Sequence, residues 1–201
     1  LHYAYKDVGG TAPNVVQASA CVHYYIRAPK VAQMLEIKRR VDDVARGAAL
    51  MTGTAVTIRE VDGFSDYVPN RTLSELLYEC MRESGAPAWD DADRALAAQF
   101  AAAIPPEERR ANLTATLAAT GLPASYYDGR DLDDGVAAFR YDPKTAEPGS
   151  TDVGDVSCCA PTAQCDFATQ AIGTGGHTWQ MAAQSASALG DKGMLAAARA
   201  L

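Results

Sequence analysis

The chain is poor in the groups from which metal sites and disulfide frameworks are built. It has only three histidines, His2, His23 and His177. No His-Glu-x-x-His helix and no cysteine/histidine cluster of zinc-finger spacing is present, so nothing in the sequence completes a metal site. The five cysteines, Cys21, Cys80, Cys158, Cys159 and Cys165, are odd in number and lack Cys-x-x-Cys spacing. That points to a reducing compartment, with buried thiols acting as small apolar groups. A catalytic thiol at Cys158 or Cys159 stays open as a reading, although neither has a histidine nearby in sequence. Basic residues are outnumbered, 18 Lys and Arg against 25 Asp and Glu, for a net charge of -7. With no basic patch to displace counterions from phosphates, nucleic acid and anionic membrane are excluded as partners. No run approaches the ~18 to 20 apolar residues of a membrane span, and no signal peptide is expected.

Apolar residues, by contrast, are ample. At 201 residues and 48% hydrophobic content, the chain can make one large domain or two small ones. Its most unusual stretch runs from Gly149 to Gln180, short on helix formers and set between alanine-rich regions, and reads as strands and tight loops. Ala171-Ile172 has the look of a buried strand end. Gly173, Gly175 and Gly176 then allow a sharp turn that projects His177 from a loop rim. Thr178 can cap a following helix carrying Met181, Ala182 and Leu189, and a strand end meeting a helix start is where α/β proteins place ligands. His177 is thus a candidate metal ligand, with a capping or surface histidine as the alternative.

Taken in order, Leu1 to Val8 alternates as a strand ended by Gly9-Gly10, and Ala20 to Arg27 alternates more clearly as a second. Pro29 opens a helix whose Met34, Ile37, Val41, Val44 and Ala48 form one stripe, and a third strand is expected near Ala55 to Val61. Strand, strand, helix, strand is most of a four-stranded, two-helix sandwich without its first strand and first helix, so the chain would begin midway through a domain. Residues 62–71 read as a crossing. Thr72 with Glu75 suggests a capping box for the next helix, which Gly85 and Pro87 stop. Further helices are expected from Asp90 to Ala103 and from Pro106 to Thr120, their alanines serving as packing faces. Asp128 to Gly135 lacks the spacing and closing glutamate of a calcium loop and reads as a solvated turn.

Asn14 and Arg27 carry a different chemistry. A guanidinium fork binds a carboxylate through two parallel hydrogen bonds, and an amide adds a donor. A turn asparagine and an exposed strand arginine would look the same.

The segments STDVGDVS (150–157), PTAQC (161–165) and AIGTGGHTWQ (171–180) together resemble the closing part of the dinuclear-metal aminoacylase and carboxypeptidase family, in its amidohydrolase branch. PNVV (13–16), YYIRAP (24–29) and ARGAALMTGT (45–54) resemble that branch's satellite domain. The resemblance implies an α/β fold: residues 1–66 as a partial ferredoxin-like β/α sandwich that carries a dimer interface, and residues 67–201 as the C-terminal part of a metallohydrolase catalytic domain. It implies two divalent ions, zinc or manganese, with His177 as one ligand. Asn14 and Arg27 would hold the substrate's carboxylate, and Asp152 would line the site or hydrogen-bond a ligand.

The family chemistry is metal-assisted hydrolysis of an amide, with a glutamate taking the proton of the attacking water. That glutamate and the other ligands lie before the satellite domain in the family, so this chain by itself is expected to be inactive and to hold no catalytic residue. The substrate would be an N-acyl amino acid such as p-aminobenzoyl-glutamate. A cytoplasmic homodimer is implied, with a companion subunit possible in the branch. The alternative is a non-catalytic dimerisation or binding module of the same fold. Four departures bear on the site: Thr151 stands for a glutamate, Gln17 and Gly175 for prolines, and Cys158 for a tryptophan. His2 and His23 could also face a substrate.

Overall fold

A computed structural model describes residues 1–143 and 149–201. The chain runs β1 (His2–Asp7), β2 (Cys21–Tyr25), α1 (Val31–Thr52), α2 (Arg71–Ser84), α3 (Asp91–Ala102), α4 (Pro106–Thr120), α5 (Val153–Cys159), α6 (Trp179–Ser185) and α7 (Ala188–Ala200). It is a mixed chain of helices with a small antiparallel sheet, compatible with an α/β class. Two units can be separated: Leu1–Val68 with Pro148–Ala160, and Pro69–Glu147 with Pro161–Leu201.

In the first unit β1 and β2 pair antiparallel, with His2 opposite Tyr25 and Ala4 opposite His23, and an irregularity between Tyr5 and Asp7. Strand alternation puts Tyr3, Tyr5 and Tyr24 on one face, where Tyr3 meets each of the other two rings at 5.9 Å. Between the strands, Gly9 takes a φ of 77°, and a Cβ there would lie 2.7 Å from the side chain of Gln17. The residue that stands for a proline therefore packs over the glycine pair.

Helix α1 starts at Val31, two residues after Pro29, and has no side-chain cap of its own. Asp66 supplies the cap, accepting from the Val31 N–H at 3.2 Å and from Lys30 Nζ at 2.8 Å. The expected third strand is absent among the described residues, because no neighbouring edge pairs with residues 55–61. They run exposed past α1, held by Lys38, which bridges Asp42 and Glu60 at 2.8 Å each.

Residues 149–180 also differ from the strand-and-loop expectation. They contain α5 and no described strand. A Cβ on Gly154 would collide with the Ser65 carbonyl oxygen, so only glycine lets α5 lie against residues 65–68. There the Asp155 carboxylate accepts from the Ser65 N–H at 3.1 Å, and Ser157 Oγ accepts from the Val68 N–H at 2.9 Å.

The second unit is helical and holds every buried apolar side chain among the described residues, including Ala97, Leu132, Ala171 and Leu189. Helix α2 is capped by Asn70, whose Oδ1 accepts from the Leu73 N–H at 3.0 Å, and not by Thr72, which lies inside the helix. At α3 Asp90 and Asp93 form a reciprocal capping box, and α4 has the expected bounds, opened by Pro106 and closed by Gly121 at φ 67°. Of the expected alanine packing faces, Ala97 and Ala101 of α3 and Ala196 and Ala200 of α7 are buried, while the other alanines of these helices are not. Those of α4 are exposed, and Arg109, Asn112, Leu113 and Leu117 face inward in their place. The helix after Thr178 breaks at Ala186, where Ser187 caps α7.

The acidic turn is not merely solvated: Leu132 is 2% exposed and anchors it in the core. Asp133 accepts from the Tyr126 and Tyr127 hydroxyls at 3.4 and 3.3 Å, and burial together with that carboxylate pushes the Tyr127 phenol up to about 12. None of the thiols is buried, against expectation, and Cys21, Cys158 and Cys159 are exposed. Among the described residues no helix is long and apolar enough to cross a membrane.

Candidate functional site

The turn that ends in His177 is fastened from several directions within the second unit. The Ala171 N–H donates to Gln184 Oε1 at 2.7 Å, and the Ile172 N–H donates to the Asp131 carbonyl at 2.9 Å. Ile172 is buried but is no strand end: a loop carbonyl, not a sheet neighbour, receives its N–H. Its own carbonyl accepts from Arg109 Nε at 3.2 Å, and the Gly173 carbonyl accepts from Asn112 Nδ2 at 3.0 Å. Thr178 then caps α6, its Oγ1 accepting from the Met181 N–H at 3.3 Å and donating to the Gly175 carbonyl at 2.8 Å.

His177 itself sits at φ 60°, where every other positive φ belongs to a glycine among the described residues. Its ring is exposed and has no hydrogen bond or ion pair with the described residues, so a nitrogen lone pair is free for a cation. The ring suits a ligand. However, no three His, Cys, Asp or Glu side chains converge among the described residues, so the chain offers a single donor and not a site.

The first unit holds the other candidates. Asn14 occupies the third position of a turn closed by the Val15 N–H on the Ala12 carbonyl at 3.3 Å, a position asparagine suits. Arg27 follows β2, exposed, and its Nη2 donates to Ser150 Oγ at 2.6 Å. It also borders a shallow depression of about 330 Å³ formed with Ala28, Pro29, Gln33, Glu36 and Ile37. Among the described residues no hydrogen bond joins Asn14 to Arg27. What the fold does bring together is Arg27 and the Ser150-Thr151-Asp152 segment, a contact spanning 123 residues of sequence. Asp152 is exposed just before α5, its carboxylate accepting from Thr151 Oγ1 at 3.3 Å and its carbonyl receiving the Asp155 N–H at 3.0 Å.

No family model and no solved structure matches the chain. Among curated proteins it is 40% identical, over its whole length, to the B subunit of p-aminobenzoyl-glutamate hydrolase from Escherichia coli (strain K12), covering 42% of that protein. It is 32% identical over 38% of its length to Xaa-Arg dipeptidase of Mus musculus and, equally, to that of Homo sapiens, covering 18% of each. The chain belongs to the aminoacylase and carboxypeptidase family. It spans less than half the length of these relatives.

In this aminoacylase-family chain the motifs acquire physical meanings. Asp-Val-Gly-Asp-Val-Ser is a helix start whose Gly154, Asp155 and Ser157 dock it on residues 65–68. Gly-Thr-Gly-Gly-His is a turn held by side chains from α4 and α6. Arg109, Asn112 and Gln184, which hold it, are not foreseeable from the sequence. No local pattern marks them, because their partners lie 63, 61 and 13 residues away.

Proposed function

We propose that the intact protein is a metal-dependent amidohydrolase that cleaves the amide of an N-acyl amino acid, above all p-aminobenzoyl-glutamate. The reading is carried by the 40% identity that runs the full length of this chain. A fixed turn that presents an unpartnered imidazole supports it further.

In this reading residues 1–66 are part of a ferredoxin-like satellite domain and residues 67–201 the C-terminal part of the catalytic domain. His177 gives one lone pair to a centre of two divalent ions, zinc or manganese, whose other donors and general-base glutamate lie outside this chain. When bound, the ions supply a Lewis acid and a more acidic water. Arg27 has donors to spare beyond the one on Ser150, and with Asn14 it holds the substrate's free carboxylate. Asp152 lines the same site. The intact protein works as a homodimer through the satellite domain. Because the bacterial relative is named as one subunit of its hydrolase, a companion subunit is part of the proposal.

A second reading, a non-catalytic dimerisation or binding module, draws on the lack of any three-donor cluster among the described residues. Metal analysis of the intact protein separates the two, with His177→Ala as reference and release of p-aminobenzoate as the assay. Bound divalent metal that falls in the variant, with activity lost alongside it, supports the hydrolase. Equal metal in both removes His177 from the centre.

A further inference from the structure

We infer that Arg109 and Asn112, on one helix far in sequence from the glycine turn, are the positioning residues that aim His177. The inference rests on His177 being a metal ligand and adds which groups hold it ready. Successive carbonyls, those of Ile172 and Gly173, are each taken by a side chain of α4, at 3.2 and 3.0 Å. Arg109 is itself fixed, because its Nη2 donates to Asp131 Oδ1 at 2.7 Å, and Asp131 in turn receives the Ile172 N–H on its carbonyl. A loop carbonyl could equally be satisfied by water. Two donors from one helix in its place fix both the position and the direction of the backbone that leads to the ligand.

The glycines fit the same purpose. Gly173 takes φ 87°, and a Cβ there would lie 2.6 Å from Arg109 Cγ, while one on Gly175 would lie 3.1 Å from Asn112 Nδ2. The turn is therefore molded on the α4 side chains. Beyond it, the bond from Thr178 to the Gly175 carbonyl closes the far side, so the backbone is tied down both before and after His177. Ligand direction matters because an error of about 1 Å is enough to leave a site too loose to work.

The test uses the intact protein loaded with cobalt(II), read by chelator competition for affinity and by the visible absorption of the ion for ligand geometry. Metal-free melting temperatures serve as a control. Asn112→Asp keeps the shape of the side chain and removes its donor, Arg109→Ala removes the other clamp, and His177→Ala removes the ligand. The expected result is a loss of cobalt affinity of roughly 10- to 100-fold in Asn112→Asp and Arg109→Ala, as for other groups that orient a ligand. The absorption spectrum should move toward that of His177→Ala. If both clamp variants keep wild-type affinity and spectrum while His177→Ala loses cobalt, the positioning role is wrong and the ligand reading stands. If His177→Ala itself binds as wild type, both fall. Should Arg109→Ala fail to fold, Asn112→Asp decides alone.

Discussion

Gln184 has no exposed surface, and its amide is fully employed: Oε1 takes the Ala171 N–H, and Nε2 donates to Thr174 Oγ1 and to the Gln180 carbonyl, each at 3.1 Å. Replacing it with leucine keeps the volume and strands a buried N–H. Gln184→Leu is expected to cost about 1–3 kcal/mol in thermal or urea denaturation. Gly154→Ala should cost a similar ~1–3 kcal/mol by forcing α5 off the Ser65 carbonyl, readable in the same experiment. The candidate residues could be proposed from the sequence because their chemistry is in their type: an imidazole after glycines, an arginine just past a strand. The groups that support them were not. Gln184 sits in an alanine-rich helix as one polar residue among several, and its partners are set by how α6 meets a loop. Likewise Ser150, which bonds Arg27, has in sequence the look of a motif's first residue and not of a partner to a strand end.

At the scale of elements, boundaries set by local chemistry came through and those set at a distance did not. Helix α4 follows from Pro106, two glutamates and Gly121, all within its span or next to it. The start of α1 falls two residues past the expected Pro29, because its cap is Asp66, 35 residues on. Asp66→Ala should therefore destabilise α1 by about 1 kcal/mol, seen as a lower melting temperature and faster amide exchange in its first turn.

Helices α3 and α7 are joined by Lys192, which bonds Asp90 at 2.8 Å and also the buried carboxylate of Asp93. The Lys192 ammonium, and next the Asp93 backbone N–H, hold the Asp90 carboxyl down at about 2. Because the folded value is the lower one, the contribution is complete above the ordinary carboxylate range near ~3.9 and is lost as pH falls from about 4 through about 2. The Lys192 ammonium is raised by the same carboxylates, so at the alkaline end its contribution is lost as pH rises through its elevated value. Melting temperatures measured from pH 2 to 5 should show the acid slope, and Lys192→Met should flatten it.

Across the whole molecule the two units differ in how well they cover apolar surface. No apolar side chain of the first unit is buried among the described residues: Val44 is 72% exposed, Leu50 85% and Tyr5 65%, and α1 shares with Leu1 and Tyr24 an open groove of about 470 Å³. The 201-residue chain is therefore expected to bind a dye such as ANS strongly in its folded state, and a dye signal no higher than that of an ordinary folded protein would contradict this. The sequence pattern anticipated the two strands and the long helix. It overshot at residues 55–61, which are rich in β-branched residues but have no edge to pair with among the described residues, and pairing, not propensity, makes a strand.

The route of the backbone through the units has its own consequence. It leaves the first at Val68 and returns for a passage ending at Ala160, and the contacts that bind this passage close loops of 123, 90 and 89 residues. During synthesis, then, the unit begun earlier is completed late: the ribosome must pass residue 160 before Arg27, Ser65 and Val68 can meet their partners. A nascent chain stopped at 68 would hold the hairpin and the long helix without the piece that fastens them, and no single cut releases either half whole.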